Sequence, residues 1–285
     1  MSRFREFCRS THLGRLLLIP WRLRNALMVV GPPVGKAFQW AFTSREHYNF
    51  TYDLDPLNRK YLVSFAAVVT GQPDSVIARF FDEIENDETL KSHVSRLNLG
   101  ARERFVADAT TRFGRRIGWY AMVRATKPRL VVETGVDKGL GSCVLAAALK
   151  RNAEEGSPGR LLGIDINPKA GYLFQEPYSR YGDIRYQDSF AAIGELTEPV
   201  DFFIHDSDHS AEHEAKELSA IRERLSTSAL VLSDNADQTD ELLKFANATG
   251  RHFLYFADKP LNHWWTGDGI GVAFPKIART RLSGV

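Results

Sequence analysis

Three apolar runs, each ending in an acidic residue or a glycine turn, constrain this chain more than any other feature. They are Val131-Val132-Glu133-Thr134-Gly135-Val136-Asp137-Lys138-Gly139-Leu140-Gly141-Ser142, then Gly163-Ile164-Asp165-Ile166-Asn167-Pro168, then Asp201-Phe202-Phe203-Ile204-His205-Asp206-Ser207-Asp208-His209. Such runs read as strands buried on both faces, and buried parallel strands deliver polar side chains at their carboxyl ends. The pattern therefore predicts a ligand site as well as a fold. Gly135, Gly139 and Gly141 free the backbone to turn and to approach a ligand before a helix begins near Ser142. Asp165 ends the second strand, where a carboxylate can accept hydrogen bonds from both hydroxyls of a ribose.

Beyond Asp165 the alternation continues, with a strand near 183–187, a helix near 189–196, a strand at 200–205, a helix at 210–225 and a strand at 228–233. Strands alternating with helices predict a doubly wound α/β fold with a parallel, Rossmann-like sheet. The tail differs. His252-Phe253-Leu254-Tyr255-Phe256 and Gly269-Ile270-Gly271-Val272-Ala273-Phe274 are two β-rich runs joined by a loop, which suits an antiparallel pair. Upstream, Tyr61-Leu62, Phe65-Ala66, Val68-Val69, Val76-Ile77, Phe80-Phe81 and Ile84 recur at helical spacing and read as core stripes. The expected organisation is a basic amphipathic arm over 1–42, a helical cap over 43–114 and a ligand-binding core over 115–285, entered through an amphipathic helix at 115–124.

Gly135 is separated from Gly139 by three residues where the dinucleotide fingerprint needs one, which argues against a nicotinamide-dependent oxidoreductase. At the fourth and fifth strand ends stand Asp206 and the pair Asp234-Asn235, neighbours in a doubly wound sheet. Two carboxylates and an amide oxygen are a hard-oxygen set suited to magnesium or a similar divalent cation. His209, with an ordinary pKa near 6.5, can accept a proton at cellular pH. Asp208 and His209 can equally cap the helix that follows, and His209 with His213 has the i, i+4 spacing of a zinc pair that lacks a clear third ligand.

On Glu133-Thr134-Gly135 with Gly139 and Ser142, and on Asp165-Ile166-Asn167-Pro168, the chain resembles the class I S-adenosylmethionine-dependent methyltransferases over roughly residues 117–275, and overall it is most similar to the bacterial Methyltransf_24 type. The resemblance implies a parallel sheet finished by an antiparallel last strand. It also implies that Glu133, Gly135, Gly139, Gly141 and Ser142 line the methionine side of S-adenosylmethionine and that Asp165 holds the ribose. Asp188 would lie beside the adenine, although an N-cap role for it is equally open. Asp206, Asp234 and Asn235 resemble the metal ligands of the catechol and caffeoyl-CoA O-methyltransferases. In those families a lysine three residues after the first ligand helps take the hydroxyl proton. Here that position is His209, which leaves the identity of the base open between families. The expected activity is methyl transfer to a hydroxyl of a small molecule such as a sugar, a lipid-linked glycan or a phenol, with Asp206 and His209 at the chemistry. A non-catalytic, membrane-associated adenosyl-binding adaptor is the alternative. The aromatic run His47-Tyr48-Asn49-Phe50-Thr51-Tyr52 and the loop Asn262-His263-Trp264-Trp265 are candidates either for shaping the acceptor site or for ordinary packing.

The net charge of +2 offers no argument for a nucleic-acid partner. It is unevenly spread: Arg3, Arg5, Arg9, Arg15, Arg22, Arg24 and Lys36 face only Glu6 in the first 36 residues, so the remainder is acidic. Arg22 and Arg24 interrupt the apolar stretch around Leu16-Leu17-Leu18-Ile19 and Leu27-Met28-Val29-Val30 well short of a bilayer span. The arm is therefore expected either to pack on its own domain or a second subunit, making a homo-oligomer, or to lie on an anionic membrane surface. With only Cys8 and Cys143, and no metal-type spacing, a reducing cytoplasm is expected, with peripheral contact at the inner membrane surface as the arm's other setting.

Overall fold

The computed structural model describes residues 6–8, 10–46, 51–102 and 104–276, so Arg3, Arg5, Arg9 and the segment His47-Tyr48-Asn49-Phe50 lie outside the described residues. The chain divides into two compact units, one made of 1–44 with 262–266 and the other of 45–261 with 267–285.

The first unit contains α1 (His12–Leu17) and α2 (Ile19–Thr43). Thr11 starts α1 by accepting a hydrogen bond from the Gly14 N–H over 2.9 Å. Pro20 sits at the start of α2, where a missing N–H costs nothing, but Pro32 and Pro33 lie inside it. No residue of α2 is buried. Near its end Trp40 meets the rings of His263 and Trp264, at 6.4 and 5.4 Å between centroids, so the loop between the last two strands belongs to this unit.

The second unit begins with α3 (Pro56–Thr70), α4 (Asp74–Glu85) and α5 (Glu88–Gly100), which bury the expected stripes through Leu62, Phe65, Ala66, Val69, Ile77, Phe81 and Ile84. Tyr61 and Val68, on the other face of α3, are exposed. Asp55 caps α3, accepting from the Leu57 N–H over 3.0 Å. Then come α6 (Arg116–Thr126), β1 (Leu130–Thr134), α7 (Leu140–Glu154), β2 (Arg160–Asp165), β3 (Gly182–Tyr186), α8 (Ser189–Gly194), β4 (Val200–His205), α9 (Ala211–Arg222), β5 (Leu225–Asp234), α10 (Glu241–Ala248), β6 (His252–Ala257) and β7 (Gly269–Phe274).

The strands form one sheet in the order β3-β2-β1-β4-β5-β7-β6. The first five are parallel, and β7 runs antiparallel between β5 and β6. The Rossmann-like α/β expectation, with an antiparallel last strand, is what the sheet contains. Every residue of β1 is buried, as is most of β4, because helices cover both faces. One core cluster joins Val132, Leu162, Phe203 and Val231 of the sheet to Leu218 and Ile221 of α9 and Leu242 and Phe245 of α10. Each such side chain contributes roughly 1.5–3 kcal/mol of burial. From β1 the chain winds outward to β3 and then returns to β4 on the other side. The strand order therefore reverses between β1 and β4, and the carboxyl ends of those two strands flank the crevice where doubly wound sheets bind ligands.

Candidate active site

At the end of β1 the loop turns back on β2 and β4. The Gly135 N–H donates to the Ile164 carbonyl over 2.9 Å, and the Asp206 N–H donates to the Thr134 carbonyl over 2.9 Å. Gly135 adopts φ +83, and a Cβ there would sit 1.9 Å from the Asp206 carbonyl oxygen. Gly141 is required for a related reason, since its Cβ would fall 2.1 Å from Oε1 of Glu133. Gly139 is the left-handed N-cap of α7, with no side chain accepting from the first turn. Those helix-end N–H groups remain available to a carboxylate. The glycine spacing expected for ligand approach is thus set first by the protein's own backbone.

Asp165 organises the same loop. Its Oδ2 accepts from the N–H groups of Val136 (2.9 Å) and Asp137 (3.0 Å), and its Oδ1 accepts from Asn167 N–H (2.8 Å). A carboxylate has about four acceptor positions. One is left, on Oδ1, for a hydroxyl. Glu133 is 1% exposed, and burial pushes its carboxyl up to about 7 even though Ser142 Oγ donates to it. Asp188 caps α8, accepting from the Ala191 N–H over 3.1 Å, and is exposed. Glu133, Gly135, Gly139, Gly141, Ser142 and Asp165 thus gather around the β1 turn, with Asp188 at the start of the next helix along the sheet.

Asp206, Asp234, Asn235 and His209 also come together, but around arginine. Arg115, immediately before α6, is buried with its guanidinium against β5: Nε donates to Asp234 Oδ1 over 2.6 Å, Nη2 donates to Asp234 Oδ2, and Nη2 donates to Asn235 Oδ1 over 2.6 Å. Its remaining arm, Nη1, reaches the Tyr52 hydroxyl at 3.1 Å and Asp258 at 3.3 Å, and Tyr52 in turn donates to Asp258. Arg116 lies 3.7 Å from Asp206 Oδ2 and over the Trp119 ring. This disagrees with the divalent-cation reading of Asp206, Asp234 and Asn235. Both oxygens of Asp234 and the carbonyl of Asn235 are already satisfied by a fixed cation, and a dication in their midst would meet that guanidinium. Among the described residues no group of three or more His, Cys, Asp or Glu side chains has metal-holding geometry.

The arginine also decides the state of His209. A guanidinium has donors only, so Asn235 must turn its carbonyl to Arg115 and its amide nitrogen to His209. That nitrogen is 3.0 Å from His209 Nε2, which must therefore be the unprotonated, accepting nitrogen of a neutral ring. Burial lowers the His209 pKa below its usual value, consistent with neutrality. Asn235 holds this position with φ +54, a left-handed conformation that asparagine tolerates better than most residues. Asp206 Oδ1 lies 3.8 Å from the same Nε2. Burial, and then the Asp234 charge, hold the Asp206 carboxyl well above its ordinary range, whereas Arg115 keeps Asp234 ionised despite its burial.

The turn carrying His209 is fixed from behind by Glu217 of α9, which is fully buried. Thr134 Oγ1 (2.7 Å), His205 Nδ1 (2.8 Å), Ser207 Oγ (2.9 Å) and His213 Nε2 (3.0 Å) all bond its carboxylate. Burial raises its pKa, but the His205 hydrogen bond and charge more than offset this and bring it down to about 2. Ser210 is the N-cap of α9, so His209 is neither the cap nor on the helix face of His213. The zinc pairing loses its helical premise, since one histidine bonds Glu217 and the other Asn235. The sequence places Arg115 only on an amphipathic helix leading into β1 and Tyr52 only among aromatics that could shape the acceptor site, and it offers no sign that Asp258 and Glu217 belong to the site. The one signal available for Arg115 was the arginine pair Arg115-Arg116 just ahead of β1.

The sequence pattern of the Methyltransf_24 family, described as a methyltransferase domain, matches residues 132–236, the stretch from β1 through Asp206, His209, Asp234 and Asn235. This region is a class I methyltransferase domain. The chain thus carries an S-adenosylmethionine-dependent methyltransferase domain. No curated protein matches it. Among solved structures, the methyltransferase is similar to a methyltransferase from Geobacter sulfurreducens at 18% identity and TM-score 0.48, covering 65% of this chain and 90% of that one. It is also similar to the O-methyltransferase TomG from Streptomyces achromogenes, solved with S-adenosylmethionine, at 16% identity and TM-score 0.47, covering 67% and 91%. A third is the S-adenosylhomocysteine-bound methyltransferase PaMTH1 of Podospora anserina, at 11% identity and TM-score 0.47, covering 80% and 100%. The donor set suits the cofactor of the methyltransferase: the open first turn of α7 can take a carboxylate, Glu133 an ammonium, and the remaining acceptor position of Asp165 a ribose hydroxyl.

Proposed function

We propose that this methyltransferase acts on a hydroxyl of a small molecule such as a sugar, a lipid-linked glycan or a phenol, without a divalent cation, and that His209 is its general base. The observation that carries this reading is the chain of contacts from Arg115 through the Asn235 amide to the accepting Nε2 of His209. A neutral imidazole with its basic nitrogen fixed is what deprotonation of an alcohol requires. The amide N–H in front of Nε2 is a weak neutral donor that an acceptor hydroxyl can replace. As oxygen forms its bond to the methyl carbon, the hydroxyl proton passes to His209 Nε2. S-adenosylmethionine, when bound, would supply the methyl group, activated by a sulfonium whose sulfur would keep the electron pair of the broken bond. The Asp234 charge favours the imidazolium that results. Glu133 and Asp165 would hold the amino and ribose parts of the cofactor, with Gly135, Gly139, Gly141 and Ser142 forming the turn around them and Asp188 at the adenine end.

Incubation of the protein with methyl-labelled S-adenosylmethionine and a metabolite extract tests this reading. Label recovered as a methyl ether supports it. Recovery as an N-methyl or S-methyl product would overturn the hydroxyl assignment. Tight cofactor binding with no transfer to any extract would favour the adaptor alternative.

A further inference from the structure

Helix α2 leaves an apolar stripe bare. Ile19, Leu23, Leu27, Val30, Val34 and Phe38 follow one another at four- and three-residue steps, and so fall on one side of a helix of 3.6 residues per turn. All six are between 50 and 65% exposed; Trp21 and Met28, on the opposite side of the helix, are similarly open. From Ile19 to Phe38 the stripe runs about 29 Å along the helix. A contiguous apolar surface of that length marks an interaction site.

Charge identifies the occupant. Residues 10–45 contain Arg15, Arg22, Arg24, Lys36 and Arg45 and not one Asp or Glu, while the chain as a whole is nearly balanced at +2. On the helical projection Arg22 and Arg24 flank the stripe from opposite sides. Long side chains in those positions can lay their stems along an apolar surface and keep their heads in a polar layer. A second copy of the helix laid on the stripe would bring these cations together with no acidic partner in either copy. A neutral apolar protein groove would leave them without a counter-charge. An anionic lipid surface meets both demands, taking the stripe into the acyl boundary and the cations among the headgroups.

The helix suits a position in the plane of the interface. Among the described residues, no helix is long and apolar enough to cross a membrane. Pro32 and Pro33 also remove two backbone N–H groups from the middle of α2, so nearby carbonyls need partners that headgroups and water supply and hydrocarbon does not.

We infer that α2 is an in-plane membrane anchor that seats this enzyme on bilayers containing anionic phospholipid. The test is flotation of the full-length protein with vesicles of phosphatidylcholine, with and without phosphatidylglycerol. Binding is expected only when phosphatidylglycerol is present and should weaken as salt is added. Leu27→Glu with Val30→Glu should abolish it, and each of Arg22→Gln and Arg24→Gln should weaken it about fivefold. Asn25→Gln, away from the stripe, should bind as the native protein does. Unchanged affinity for S-adenosylmethionine checks that each variant is folded. The inference is overturned if the native protein stays with the soluble fraction in both vesicle types, if Leu27→Glu with Val30→Glu still floats, or if sedimentation without lipid reveals a dimer that this variant dissociates.

Discussion

Arg115 grips the Asp234 carboxylate with two parallel N–H donors, Nε to Oδ1 at 2.6 Å and Nη2 to Oδ2, and the same Nη2 extends to Asn235. A permanent, fork-shaped cation thus occupies the strand end where related sequence patterns suggest a metal ion. Removing one partner of a buried pair strands the other charge. Arg115→Ala should therefore destabilise the fold by about 3–5 kcal/mol, measured by urea unfolding. Loss of less than 1 kcal/mol, on the order of an exposed ion pair, would show that the contact is not buried in solution.

If the same contact takes the place of a metal, chelators should have no effect on turnover. Turnover in excess EDTA should equal turnover without it, and elemental analysis should find no stoichiometric divalent metal. A rate that collapses in EDTA and returns with magnesium would mean that Arg115 yields its place to a cation.

Glu133 predicts a pH dependence of cofactor binding. Its carboxyl titrates at about 7 in the folded protein because of burial, above the ordinary 4.5. Protonation of a carboxyl with a raised value is favoured by folding, so the group costs stability progressively as pH rises from 4.5 to about 7. A cationic ligand favours the ionised form. Affinity for S-adenosylmethionine should hence rise as pH increases through about 7 and fall again once the ligand's own α-amino group, near 8, loses its proton. Calorimetry across this range checks it, and Glu133→Gln should remove the lower limb only.

Asp165→Ala should weaken S-adenosylmethionine binding about tenfold or more, through a lost charge-assisted hydrogen bond and a loosened β1 turn. The two effects separate by hydrogen exchange, since the Val136 and Asp137 N–H groups that Asp165 holds should exchange faster even without cofactor. Gly135→Val acts differently from a blocked ligand. Its Cβ would strike the Asp206 carbonyl at φ +83, so the variant should lose stability before affinity can be measured.

What the sequence makes legible follows from range. The sheet is readable because β1, β2 and β4 are largely buried on both faces and carry runs of apolar residues, and because Glu133, Asp165 and Asp206 stand within a residue of their strand ends. Asp234 and Asn235 were readable as site residues on the same grounds. Their partner is not, because Arg115 is 119 positions from Asp234 in the chain, and nothing local to an arginine at the start of an amphipathic helix points to so distant a partner. Oxygen ligands therefore suggested a metal, when the matching cation came from the protein itself. Asp165 shows the same limit. Its place at the strand end was evident, but three backbone N–H groups from neighbouring turns already fill most of its acceptor capacity. His209 stands three residues after Asp206 and 3.8 Å from it, yet its tautomer depends on Asn235 being turned by Arg115, a relation among three distant segments.

The central claim is that a neutral His209, oriented by the Arg115–Asn235 pair, removes the acceptor's proton with no metal. Its most direct test is the single-turnover rate of methyl transfer as a function of pH, in EDTA, for the native enzyme and His209→Ala. Because burial lowers the His209 pKa, the native rate should rise along a limb centred below the ordinary imidazole value of 6.5. The variant should be slower by about 10²-fold or more, the usual contribution of a general base, and should lack that limb. A His209→Ala enzyme with the native rate and the native pH limb would contradict the account.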